Sequence, residues 1–153
     1  MHILISGSTG LLGTSVAERL ENEGHEIVRL VRPETLATSG IPASKMVRWD
    51  TSSGQFDGTQ AEGTDALIHL AGASIADGRW SASRKNLLRA SRIDATRHLI
   101  TSLSRLKRPP SVVVSALAIG YCDDRREEEL TESSPPGNDF LAQLCCEWES
   151  EVS

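Results

Sequence analysis

His2-Ile3-Leu4-Ile5-Ser6-Gly7-Ser8-Thr9-Gly10-Leu11-Leu12-Gly13 decides how this chain is read: a short apolar run breaks into three glycines, and Val16, Ala17 and Leu20 follow at helical intervals. An apolar run of that length, closed by glycine, reads as a buried strand, and the spacing after it as one face of a helix. A strand, a glycine turn and a helix in this order place the free first-turn N–H groups of the helix beside the strand end. With the helix dipole, those groups attract phosphate. In such a turn Gly7 permits the sharp exit from the strand, Gly10 lets a pyrophosphate approach the backbone, and Gly13 lets the helix pack on the strand. Glycines also end strands for purely structural reasons, and that reading stays open.

Gly24 reads as the C-cap of the first helix, and Glu26 to Val31 as the second strand. The tip of that strand selects the dinucleotide, because an Asp or Glu there binds the ribose 2′-hydroxyl of NAD. Here the position holds Arg32. A guanidinium suits a 2′-phosphate through charge-assisted bonds, which favours NADP over NAD. The alternative is an ordinary exposed arginine, with Glu34 reading the ribose.

Further along, residues 33–46 contain Pro33, Gly40 and Pro42 and read as a connection with at most a short helix. A weak strand covers Met46 to Trp49, before a turn at Ser52-Ser53-Gly54. Asp65 to Leu70 is nearly continuous in apolar residues, as expected of a parallel strand covered by helices on both faces. Ser81 to Leu106 is helical in pattern, Ser111 to Ser115 makes a fifth strand after Pro109-Pro110, and residues 120–138 form an acidic loop. Asn138 or Asp139 caps a last helix reaching about Glu151. Strands alternating with helices imply right-handed crossovers and a doubly wound parallel α/β sheet.

Composition agrees with one globular unit: 153 residues, 39% of them hydrophobic and 24% charged. The net charge of −5 argues against a nucleic-acid binder, which is ordinarily basic. Charge is nonetheless segregated, with nine Lys and Arg in residues 79–108 and ten acids in 123–151, a pattern of solvated helix faces and an acidic loop. Cys122, Cys145 and Cys146 form an odd set in a chain that opens without a secretory leader pattern, so a reducing cytoplasm is expected. No apolar run is long enough to cross a membrane. Cys145-Cys146 lacks the gap of a zinc or redox pair, and no metal site is expected.

The glycines spaced G-x-x-G-x-x-G and His69-Leu70-Ala71-Gly72 after the fourth strand resemble the extended short-chain dehydrogenase/reductases. Trp49-Asp50, Gly78-Arg79-Trp80, Ser91-Arg92, Thr131-Glu132, Ser134-Pro135-Pro136-Gly137, Asp139-Phe140-Leu141-Ala142, Leu144-Cys145 and Trp148-Glu149 narrow this. They resemble the atypical branch known as epimerase family proteins, or nucleoside-diphosphate-sugar epimerases. The resemblance runs through the whole chain. It implies a Rossmann-like fold and an NADP site built from Gly7, Ser8, Thr9, Gly10, Leu11, Leu12, Gly13, Val31, Arg32, Leu70, Ala71, Gly72 and Arg92. Arg92 has a case of its own, since it lies on a basic helix beside the carboxyl edge of the sheet; the alternative is a solvated surface arginine. The substrate implied is a small molecule such as a sugar nucleotide.

Two departures accompany the match. Members of this family continue for about as long again, with the strands that finish the sheet and a substrate lobe, so residues 1–153 read as an incomplete dinucleotide-binding domain. An unfinished sheet leaves an apolar edge, which favours self-association. The second departure is chemical. Ordinary members carry Tyr-x-x-x-Lys on the helix after the fifth strand, where the Lys and the ribose lower the tyrosine pKa for proton transfer. Aligning Glu149 places Leu141 and Cys145 at those positions, and Leu117 or Ala118 where an assisting serine stands, so no catalytic residue is assigned. Two alternatives to an active oxidoreductase or epimerase follow: a non-catalytic NADP-binding sensor or scaffold, or an inactive fragment.

Of the remaining residues, Tyr121 is either a proton donor or a packing residue at a strand-end loop. His69 either touches the nicotinamide region or is buried and bonded to a backbone carbonyl. Trp80 borders the substrate in this family or covers the sheet edge, and Trp49 and Trp148 read as packing residues.

Overall fold

In the computed structural model of the chain, which describes residues 1–36 and 40–152, the five apolar runs pair as one parallel sheet. β1 (His2–Ser6), β2 (Glu26–Val31), β3 (Met46–Arg48), β4 (Ala66–His69) and β5 (Val112–Ser115) stand in the order β3-β2-β1-β4-β5. The chain winds outward from β1 to β3, then returns to lay β4 on the other side of β1. That reversal is the switch point at which open α/β sheets leave a crevice beyond the strand carboxyl ends. Ser6 and His69 are direct register partners at that end of the β1–β4 ladder.

Alternate side chains of a strand point to opposite faces, so β1 feeds two cores. Ile3 and Ile5 pack with Ala17 of α1 (Leu11–Asn22), Ile27 and Ala66 on one face. Leu4 packs with Val28, Leu30, Trp49 and Leu67 on the other, beneath Leu99 and Leu103 of α4 (Ala95–Leu103). Between these helices come α2 (Pro33–Leu36) and α3 (Ala82–Arg89). α5 (Phe140–Ser150) starts at Asp139, whose carboxylate accepts the Ala142 N–H at 2.7 Å, and packs through Leu144 and Trp148 against Leu88 and Ile93. Arg89 to Glu147 and Arg97 to Glu151 add ion pairs across the same contact. No helix among the described residues is long and apolar enough to cross a membrane.

The structure departs from the sequence reading in two places. The expected helix over 81–106 is α3 and α4 joined by a π-helical segment, Ala90–Asp94. A wider turn of this kind keeps the ladder closed and has no signature in apolar spacing. β3 ends at Arg48, and Trp49 leaves it to form an isolated antiparallel bridge with Phe56. β5 is apolar yet open to solvent, with Val112, Val113 and Val114 exposed by 48, 39 and 53%. It is the sheet's edge, with no further strand beside it and no helix of the described residues over the three valines.

Candidate functional site

The exit from β1 is made by backbone packed too closely for side chains. Gly7 has φ +70°, a conformation that strains residues bearing a Cβ, and a Cβ there would stand 2.7 Å from the Leu70 carbonyl carbon. At Gly13 a Cβ would lie 2.1 Å from the Gly7 carbonyl oxygen. These two contacts press α1 onto β1 and β1 onto the end of β4. Gly10 differs, since a Cβ there would meet only the Gly7 oxygen, at 3.4 Å, and its flank is open. Gly10 caps α1 without a side-chain hydrogen bond to the first turn. The turn is held by Gly10 N–H donating to Gly7 O at 3.0 Å and by Thr14 Oγ1 donating to Ser8 O at 3.3 Å. Ser8 is buried with its Oγ unpartnered, while Thr9, Leu11 and Leu12 are exposed around it.

The other predicted site residues surround the same sheet edge. Val31 is buried at the end of β2, and Arg32 follows it, exposed and paired with Glu34 at 3.2 Å. Both residues weighed as readers of the ribose therefore stand together. Leu70, Ala71 and Gly72 continue β4 past its carboxyl end. Arg92, in the π segment, reaches this strand end: its Nη1 donates to Ala73 O at 3.0 Å, and its guanidinium carbon would be 3.1 Å from a Cβ on Gly72. It also lies over the Trp148 ring at 5.3 Å, and burial lowers its pKa.

His69 is buried, as one reading held, but its imidazole bonds no backbone carbonyl among the described residues. Its Nδ1 lies 2.6 Å from Ser6 Oγ and its Nε2 2.8 Å from Thr96 Oγ1, which also accepts the Trp148 indole N–H at 2.9 Å. Two hydroxyls from other elements thus take the place of the carbonyl. Burial pushes the imidazole pKa down from 6.5 to about 4. Ser6 and Thr96 were missed in the sequence; the available signal was a hydroxyl closing an otherwise apolar interior strand. Trp148 proves to be a donor as well as a packing residue.

The reaction side is built differently. Leu141 packs against Gly120, and Cys145 is buried with its thiol directed to Ala118 O at 3.8 Å. Burial raises the Cys145 pKa, so the thiol stays protonated. Tyr121, the chain's single tyrosine, sits half-buried in the short helical turn Ile119–Cys122 after β5. Desolvation raises its pKa, which keeps the phenol protonated, as a proton donor requires and a phenolate base does not. Trp80 is partly exposed, edge-on to Phe140 at 5.9 Å, with its N–H donated to Ile75 O. An open cavity of about 680 Å³ between Phe56 and the end of α4 includes Arg48 and Arg105 but none of the predicted site residues.

A doubly wound parallel sheet with a glycine turn at its switch point defines the Rossmann-like class. The sequence model of the NAD dependent epimerase/dehydratase family matches residues 3–148, and the chain belongs to that family. An epimerase family protein of Mycobacterium bovis is 34% identical over 149 residues, covering 97% of this chain and 46% of its own. The epimerase family protein SDR39U1 of Bos taurus is 29% identical over 155 residues, covering 98% of this chain and 48% of its own. Among solved structures, human epimerase family protein SDR39U1 with NADPH matches all of this chain and 49% of its own, at 26% identity and a TM-score of 0.81. A nucleoside-diphosphate sugar epimerase from Corynebacterium glutamicum is 31% identical with a TM-score of 0.79, covering 99% of this chain and 30% of its own. The chain spans about half the length of the curated relatives it matches.

Proposed function

We propose that this chain is the NADP(H)-binding part of an atypical short-chain dehydrogenase/reductase, with oxidoreductase or epimerase chemistry on a small molecule such as a sugar nucleotide. The observation that carries this reading is the turn itself, shut at Gly7 and Gly13 and open at Gly10. An open backbone flank, an α1 start without a capping side chain, and an unpartnered Ser8 hydroxyl fit a pyrophosphate. In this reading the Gly7–Gly13 turn holds the pyrophosphate, Val31 and Arg32 hold the adenosine ribose, and Leu70, Ala71, Gly72 and Arg92 line the rest. Arg32 has guanidinium donors left beyond its Glu34 contact and supports NADP over NAD. The NADPH-containing human relative supports the same choice. When bound, the nucleotide supplies hydride acceptance and return. Free thiols at Cys122, Cys145 and Cys146 fit a cytoplasmic protein.

A second reading, an NADP-binding sensor or scaffold without catalysis, is favoured by Leu141 and the buried Cys145. Leu141 has no titratable group, and the Cys145 thiol, its pKa raised by burial, keeps its proton at neutral pH, so neither can serve as a base. Titration with NADPH and NADH, followed by nucleotide fluorescence, tests the binding that both readings share. NADPH is expected to bind about tenfold or more tightly than NADH, and Arg32→Glu to abolish or reverse that preference. A folded chain that binds neither nucleotide overturns both readings. A change in cofactor absorbance with a sugar nucleotide or carbonyl compound separates enzyme from sensor.

A further inference from the structure

Behind the glycine turn, four buried side chains from four elements form one hydrogen-bonded chain: Ser6 of β1, His69 of β4, Thr96 of α4 and Trp148 of α5. At its near end, Ser6 Oγ accepts the Leu70 N–H at 3.2 Å and, more weakly, the Ala71 N–H at 3.4 Å. The Ala71 N–H belongs to the Leu70–Ala71 peptide, on which Gly7 rests. At its far end the chain terminates on α5, the helix that carries Leu141 and Cys145. The imidazole is fixed laterally as well, edge-on to Trp49 at 6.0 Å and to Trp148 at 6.3 Å.

A polar chain in a core is not needed for packing. Replacing such partners together by apolar groups of the same shape is nearly neutral, whereas a connected set specifies position. The groups facing the imidazole are Ser6, Thr96, Trp49 and Trp148, none of them charged; Arg92 touches the set only through the Trp148 ring. A neutral imidazole has one donor and one acceptor nitrogen; because Ser6 Oγ already accepts two N–H groups, its hydroxyl donates to Nδ1, and the tautomer with Nε2–H donating to Thr96 Oγ1 closes the chain.

We infer that His69 is a positioning residue for the nucleotide site: its Nδ1 sets Ser6 and through it the Leu70–Ala71 peptide under the glycine turn, while its Nε2 sets Thr96 and Trp148 and so the seat of α5. The inference rests on the nucleotide-binding reading above and assigns that reading a residue which touches neither nucleotide nor substrate. The two arms are separable, because an asparagine amide reaches about where Nδ1 lies and a glutamine amide about where Nε2 lies.

The test compares His69→Asn, His69→Gln and Ser6→Ala in the full chain. It measures amide hydrogen exchange at Ala71 without nucleotide, because the Leu70 N–H also donates to the Ser6 backbone oxygen at 3.2 Å, together with NADPH affinity by fluorescence and the melting temperature. His69→Asn is expected to keep slow exchange and an affinity within about threefold of the parent. His69→Gln and Ser6→Ala are expected to exchange the Ala71 amide about tenfold faster and to bind NADPH about tenfold more weakly. His69→Gln should do so at a melting temperature close to that of His69→Asn. Exchange unaltered in Ser6→Ala, or affinities that simply follow melting temperature, overturns the inference. Ser6→Ala removes only one small hydroxyl, so the exchange measurement decides even where a histidine variant fails to fold. A parent chain that binds neither nucleotide overturns the proposed function, while the exchange result still judges the positioning role.

Discussion

Two connections deliver chain to the same edge of the sheet. The first runs from β1 to α1 through Gly7-Ser8-Thr9-Gly10, four residues whose form is dictated by backbone contacts. The second runs from β5 to α5 through residues 116–139, a long polar excursion that ends at a helix bearing Leu141 and Cys145. The first requires glycine at Gly7, where φ is +70° and a Cβ would stand 2.7 Å from the Leu70 carbonyl carbon. The second depends on side chains, and its helix carries neither tyrosine nor lysine. Binding a nucleotide and moving a proton are thus separable in this fold, because one uses main-chain groups and the helix dipole and the other uses particular titratable atoms.

The largest break in this comparison is Gly13→Val. Its Cβ cannot stand 2.1 Å from the Gly7 oxygen, so a loss of about 3 kcal/mol or more is expected in urea unfolding, with nucleotide binding lost as well. Acid weakens the same region. His69 has its pKa lowered to about 4 when folded, against 6.5 ordinarily, so between these values the unfolded chain takes up the proton and the folded chain does not. Its contribution is complete above 6.5 and falls as pH drops toward about 4, by roughly 3 kcal/mol in all. His69→Asn should remove that part of the pH dependence of unfolding.

Gly10→Val sharpens the contrast within the turn. The open flank accepts the side chain, so stability should change by less than about 1 kcal/mol while NADPH affinity falls about tenfold or more. In the second connection the pattern should invert. Cys145→Ala is expected to cost about 1 kcal/mol of stability and to leave NADPH affinity unchanged in the fluorescence titration. The smallest effect is kinetic. Cys122 and Cys146 are half-buried and Cys145 is buried with a raised pKa, so a maleimide should label two thiols before the third in a mass-spectrometric time course.

Much of the first connection was legible in the sequence, because strand, turn and helix are local and the apolar run, the three glycines and the helical spacing follow one another directly. The same locality made β2, β4 and the Asp139 cap of α5 readable. The π segment was not, since apolar spacing hardly distinguishes it from a continuous helix. The partners of His69 were not legible either. The sequence indicates that a histidine closes an interior strand, but Ser6 is 63 residues away and Thr96 lies 27 further on.

From sequence alone came the parallel α/β class, the glycine turn, Arg32 at the tip of β2, and the absence of a Tyr-x-x-x-Lys pair from α5. All of these depend on the type and spacing of neighbouring residues. Tertiary structure decided that Val112 to Val114 lie open while the equally apolar β1 is buried, because burial depends on which helices cover a strand. It also brought Arg92 to Gly72 and Ala73, and joined Ser6, His69, Thr96 and Trp148 into one chain beneath the turn. Such contacts join residues from separate elements, and only the winding order of the sheet sets which elements meet.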